Sequence, residues 1–294
     1  MHRPQRTIRR DALCAGIGFF NNRDVTVRFH PAPADHGVVF LRTDLPGAAP
    51  IPAHIEYAVE RHRRTALERD GVAVEMVEHV LAALAGLRID NCLVELDAIE
   101  PPGLDGSAMP YVAALLDAGI VAQDRPRAAL VIDKPLEVDS ACDGGRILAE
   151  PPAEDEFIIE YSLDYGPGSP VPASRYESEI TPDTFAAEIA SARTFILEAE
   201  VAALRAAGYG ARTTARDLLV FSPDGTLVDN ELRMPDECAR HKLLDCIGDF
   251  ALLGCDLRGR IRAERSGHRL NRELVRRLWD RTSAAEAMAS RPAA

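Results

Sequence analysis

Residues 79–96, His-Val-Leu-Ala-Ala-Leu-Ala-Gly-Leu-Arg-Ile-Asp-Asn-Cys-Leu-Val-Glu-Leu, can be set beside residues 241–258, His-Lys-Leu-Leu-Asp-Cys-Ile-Gly-Asp-Phe-Ala-Leu-Leu-Gly-Cys-Asp-Leu-Arg. Both passages read as an apolar helix opened by a histidine, a small-residue break, and then a strand. In front of each lies a hairpin-rich stretch. Arg6 to Asp44 alternates around Cys14-Ala15-Gly16-Ile17-Gly18, and Ala129 to Asp164 alternates around Asp143-Gly144-Gly145. An order repeated in this way predicts two related α+β halves whose equivalent helices face each other. The halves are expected to meet at the short polar connector Ala122-Gln123-Asp124-Arg125-Pro126-Arg127, giving domains over residues 1–125 and 126–280 and a disordered Ala/Ser-rich tail over 281–294.

The second passage also carries polar residues at a helical spacing. His241, Asp245 and Asp249 recur every fourth residue, and residues four apart stand one above the other on a helix, close enough for an imidazole and a carboxylate to share an ion. Asp249 is expected to serve beside the ion instead, because at about 1.5 Å per residue it lies roughly 12 Å along the axis from His241. A catalytic zinc takes three protein ligands and keeps a fourth position open. The facing helix supplies His79 as the third, with Glu78 beside it to take a proton from the attacking water. A lone histidine on an apolar helix is more often a satisfied core residue, and His-x-x-x-Asp arises by chance in many chains. Two equivalent helices carrying complementary ligands weaken that bland reading. Cys238, at i, i+3, i+7 with His241 and Asp245, leaves a Cys/His/Asp site open.

Composition describes a chain able to bury two cores: 294 residues, 47% of them hydrophobic, with no run of about 18 apolar residues. Met1-His2-Arg3-Pro4-Gln5-Arg6 leads into polar sequence, so a cytoplasmic location is expected. The six cysteines form no Cys-x-x-Cys pair and are expected to be free thiols. A net charge of −12 argues against a nucleic-acid partner, which needs a broad basic surface. A diphosphate needs only a local one, which Lys242, Arg240, Arg262 and Arg265 could supply. Gly208-Tyr209-Gly210 reads as a helix C-cap and not as a phosphate loop. Asp105-Gly106-Ser107 reads as the cap of a helix over Met109 to Leu116, and Thr184 to Ala207 as helical with one break at Arg193-Thr194-Phe195.

Several passages resemble, in order, the UDP-3-O-acyl-N-acetylglucosamine deacetylase family, the zinc amidases that commit bacteria to lipid A synthesis. They are Val77-Glu78-His79 with 82–87 and Ile89-Asp90-Asn91, Leu104-Asp105-Gly106-Ser107-Ala108, Ala192-Arg193-Thr194-Phe195, Arg240-His241-Lys242 with Leu244-Asp245 and Ile247-Gly248-Asp249, and Ser266-Gly267-His268. The resemblance runs from about Arg6 to Leu278. It implies two domains, each a mainly antiparallel sheet with helices on one face, the helical layers packed together between the sheets. It further implies one Zn²⁺ per chain, with Fe²⁺ as the alternative, held by His79, His241 and Asp245, and action on the UDP-linked sugar; a monomer is expected. In the roles it suggests, Glu78 is the base, the Thr194 hydroxyl steadies the oxyanion, and His268, kept cationic by Asp249, protonates the leaving amine. Phe195 would pack on the glucosamine ring, Lys242 would contact the sugar or phosphate side, and Asp164 would contact the nucleotide.

The chain also departs from the family pattern. Phe20 stands where the family commonly has His, Met76 where Thr is usual and Ile196 where Gly is usual, and the Arg-rich segment Gly208 to Asp217 lacks the usual glycines. Two rival readings keep the metal ligands: a zinc amidase or esterase of another substrate, and a noncatalytic metal-binding homologue. The second would be expected to lose Glu78 or His268, and both are present.

Overall fold

In the computed structural model, which describes residues 3–141 and 144–289, the duplicated order appears as duplicated topology. One sheet runs Ala12–Ile17, Asp24–Pro31, Cys92–Leu96, Val38–Arg42, Ile51–Pro52. The other repeats that order with Leu136–Asp139, Arg146–Glu150, Asp256–Glu264, Phe157–Leu163 and Ser174–Glu179, and Ala129–Val131 pairs beside Asp256–Glu264. In each sheet the last strand of the unit enters the middle, antiparallel to the second strand and parallel to the third. All other pairings within the five-strand paths are antiparallel.

The longer helices are α1 (Glu78–Gly86), α2 (Met109–Ala118), α3 (Glu198–Ala206), α4 (Glu237–Phe250) and α5 (His268–Ala289). α1 precedes the central strand of its sheet and α2 follows it; α4 and α5 stand in the same relation to the second sheet. Strand alternation sets which face is covered. In Asp256–Glu264, Leu257, Ile261 and Ala263 are buried while the intervening arginines point away from the core. α1 is buried on nearly every side, as expected of a helix held between layers. It packs on α4 at backbone distance, since a Cβ at Gly248 would lie 2.1 Å from the Glu78 carbonyl oxygen. Gly86, at the other end of α1, makes room instead for a side chain, since a Cβ there would meet the Phe185 ring at 2.3 Å.

Several expectations are corrected. The polar connector is a strand: Ile120–Pro126 pairs antiparallel with Pro4–Ile8, which satisfies backbone groups that a free linker would leave to water. The break expected at Arg193-Thr194-Phe195 is larger than an interruption. A π-helical turn, Phe185–Ile189, gives way to a loop, and Phe195–Leu197 forms a strand parallel to Leu219–Phe221 before α3 begins. Aromatic and β-branched side chains there favour the pleated partner over the helix. α5 continues to Ala289 through a stretch rich in good helix formers, past the start of the expected tail. Residues 290–294 lie outside the described residues, as does Cys142. The other five cysteines are free, four of them buried. No described helix is long and apolar enough to cross a membrane.

Candidate metal centre

Because α1 and α4 touch at Gly248, their histidines come together. The rings of His79 and His241 stand perpendicular with centroids 5.0 Å apart, and their Nε2 atoms lie 3.7 and 3.5 Å from Asp245 Oδ1. These separations are long for hydrogen bonds. They suit three ligands of one ion, since donors about 2.1 Å from a tetrahedral centre stand about 3.4 Å from each other. Among the described residues, the acidic, histidine or cysteine group able to hold a metal is His79, His241 and Asp245, with ligand atoms within 4.8 Å of one another. Cys238 is buried and outside that group, and burial pushes its thiol up to about 12, so it stays neutral.

The donor set fits a divalent cation. Asp245 Oδ1 is buried without a hydrogen-bond partner, while Oδ2 accepts from Lys242 Nζ at 2.6 Å. A buried carboxylate oxygen with no donor is costly, and a cation at that point removes the cost. His241 Nδ1 faces the Ala192 carbonyl oxygen at 3.1 Å, so Nδ1 carries the proton and Nε2 offers its lone pair. Burial, helped by the neighbouring His241, holds His79 down to about 3, and burial also lowers His241, so both imidazoles are neutral. Burial alone would raise Asp245, but Lys242 and His241 outweigh it and keep the carboxylate well below its usual range.

Glu78 and His268 face each other beside this group, with Glu78 Oε1 3.8 Å from His268 Nε2. Burial lifts Glu78 to about 7, against the opposing pull of His268. Burial would lower His268, yet Asp249 and Glu78 more than offset it and raise it to about 9. Asp249 Oδ2 accepts from His268 Nδ1 at 3.0 Å and from Asn271 Nδ2 at 2.8 Å. Its position one helical turn beyond Asp245 therefore places it behind His268, away from the ligand cluster.

A cleft of about 1210 Å³ opens from this centre, lined among others by Glu78, His268, Thr194, Phe195 and Lys242. Thr194 is pinned through its backbone, donating N–H to Gly106 O at 2.8 Å and accepting from Leu219 N at 2.9 Å. Next to it Arg193 makes a buried two-pronged ion pair with Glu237, the first residue of α4. Two residues in the left-handed region stand just ahead of these side chains, Met76 at φ 56° before Val77-Glu78-His79 and Arg265 at φ 47° before Ser266-Gly267-His268.

Residues 5–280 match the family model described as UDP-3-O-acyl N-acetylglycosamine deacetylase. The chain belongs to this family. It is 39% identical to the UDP-3-O-acyl-N-acetylglucosamine deacetylase of Myxococcus xanthus over 98% of this chain and 90% of that protein. Against the proteins of the same name from Anaeromyxobacter and Hahella chejuensis it is 38% identical, covering 93% and 96% of this chain and 88% and 92% of theirs.

Not every residue expected at the deacetylase site is brought to the cleft. Asp164 is exposed, does not line it, and accepts Gly166 N–H at 2.8 Å within its own turn. Of the cations considered for a diphosphate, Lys242 and Arg265 line the cleft. Arg240 instead pairs with Asp236 over the Tyr176 ring, and Arg262 pairs with Glu150. Phe20, where the family commonly has His, does line it, with the Arg64 guanidinium 4.4 Å above its ring and Tyr209 edge-on at 5.0 Å. Three residues that touch the expected site or Arg193 beside it are not singled out by the sequence motifs: Thr65, whose hydroxyl donates to Asp249 Oδ1, Glu237, which pairs with Arg193, and Asn271. Asn271 sits at i+3 from His268, a spacing that could have drawn attention to it. Thr65 belongs to no motif.

Proposed function

We propose that the protein hydrolyses the acetamide of a UDP-3-O-(3-hydroxyacyl)-N-acetylglucosamine, releasing acetate and the free amine, the committed step of lipid A synthesis. Family membership supports the reaction. The observation that carries the site is the unpartnered Asp245 Oδ1 between two neutral imidazoles, with a carboxyl group and an imidazolium facing each other beside it. His79, His241 and Asp245 would hold one zinc or ferrous ion, which when bound acidifies water and polarises the acetamide carbonyl. Glu78, in its carboxylate form, takes the proton from the attacking water. The Thr194 hydroxyl donates to the oxygen on which negative charge develops. His268 Nε2 carries the proton that the departing amine needs, and Asp249 at Nδ1 keeps it there. Phe195 offers a ring face to the sugar and Lys242 a cation, with Arg265 added to the same wall. We place the enzyme in the cytoplasm, a reading supported by the five free thiols among the described residues.

The test is acetate release from the UDP-linked acylated sugar, followed alongside elemental analysis of the purified protein. About one equivalent of zinc or iron is expected, falling sharply in His79→Ala and Asp245→Ala. The analogue without the acyl chain should react far more slowly, because binding energy from the chain positions the amide. Equal rates on both substrates would turn the reading toward a general amidase.

A further inference from the structure

Thr65 is fully buried and touches three proton-handling groups at once. Its backbone N–H donates to Glu78 Oε2 at 3.0 Å. Its hydroxyl donates to Asp249 Oδ1, and the same oxygen lies 3.2 Å from His268 Nδ1. We propose that Thr65 is a positioning residue that fixes the base and the acid relative to each other. This rests on the roles given above to Glu78 and His268.

The geometry divides the work between backbone and side chain. Glu78 Oε2 is taken by the Thr65 amide, which turns Oε1 toward His268 and the cleft. Without the Thr65 hydroxyl, Asp249 would be a buried carboxylate held through one oxygen alone. Oδ2 holds His268 and Asn271, and Oδ1 is met by the Thr65 hydroxyl, so both oxygens are engaged and the carboxylate plane is set. With that plane set, the single proton on His268 Nδ1 points at Oδ2, and Nε2 is aimed at the reacting amide. Thr65 is held in turn by the chain, since its carbonyl accepts Val77 N–H just ahead of Glu78. A side chain on the 58–76 segment of the first half thereby orients an acid carried by α5 of the second.

The experiment compares Thr65→Val, which keeps shape and backbone but loses the hydroxyl, with Thr65→Ser, which keeps the hydroxyl. kcat for acetate release should fall roughly ten- to a hundredfold in Thr65→Val, the scale of one hydrogen bond to a charged group, with KM and metal content unchanged. Thr65→Ser should recover to within about threefold of the parent. Because the effect runs through Asp249, Thr65→Val should cost little more once Asp249→Asn is already present. Parental kcat in Thr65→Val, a serine variant as slow as the valine, or additive losses in the double variant would each overturn the proposal. Thr65→Ala carries the same comparison should the valine variant not fold. An inactive parent with metal bound would instead overturn the assigned reaction and is distinguished at the first measurement.

Discussion

At the scale of single residues, the base and the acid proposed above need opposite proton states, and the two groups are shifted in opposite senses to suit them. Glu78 must lose its proton to act as base, and burial places that loss at about 7; His268 must keep its proton to act as acid, and Asp249 and Glu78 hold it to about 9. The rate should therefore rise as pH climbs through the Glu78 value and fall as it passes the His268 value. A cation at His79, adjacent in sequence to Glu78, favours the carboxylate, so the metal-loaded enzyme should show its acidic limb at or below 7. Asp249→Asn removes an opposite charge 3.0 Å from His268 and should move the basic limb down by roughly one to three pH units, with metal content unchanged. A basic limb that stays in place in this variant contradicts the pairing. Glu78→Gln should lower the rate about 10²-fold or more across the whole profile while binding metal normally. Single-turnover rates and elemental analysis decide that case.

At the scale of elements, the reading succeeded where burial imposes a period and missed where a partner strand or a backbone carbonyl decides. α1 and α4 are legible because apolar residues surround a few polar ones at helical spacing; that spacing marks His241, Asp245 and the separate place of Asp249, and the repeat of the two passages marks His79. Phe195–Leu197 falls within a helical pattern, and the partner that makes it a strand, Leu219–Phe221, comes more than twenty residues later. Thr65 escapes notice for the same reason: Glu78, Asp249 and His268, which it touches, all come from other elements. Gly248 shows what sequence could only hint at, that α1 and α4 meet with no side chain between them. Gly248→Ala puts a methyl group against the Glu78 backbone and should destabilise the fold by about 1–3 kcal/mol, with metal loss as His79 and Asp245 are driven apart. A thermal midpoint and metal content equal to the parent's would show that the two helices can separate without consequence.

At the scale of the molecule, a carboxylate near the start of each central strand meets the same pair of arginines where the two halves join. Asp90 stands just before Cys92–Leu96, and Asp256 opens its counterpart in the second sheet. Arg3 reaches both carboxylates at 2.7 Å, and Arg127 approaches the same two at 3.0 and 3.5 Å. The four charges alternate in sign and join the halves on the Arg88 side of α1, away from the cleft. Their burial differs: the Asp90 side chain is 3% exposed and that of Asp256 is 21% exposed. Removing Asp90 leaves two guanidinium groups short of a buried partner and strips an acceptor from Arg6 N–H, at a cost of about 3 kcal/mol. Removing Asp256 exposes the same arginines to a wetter environment and should cost about 1 kcal/mol, the range of a screened pair. The order of urea midpoints should thus be parent, Asp256→Ala, Asp90→Ala, with kcat well below the unfolding transition equal in all three. A loss of kcat without a shift in midpoint would mean that this cluster acts on the cleft instead of tying the halves together. Equal midpoints throughout would mean that the contact between α1 and α4 alone holds the two sheets in register.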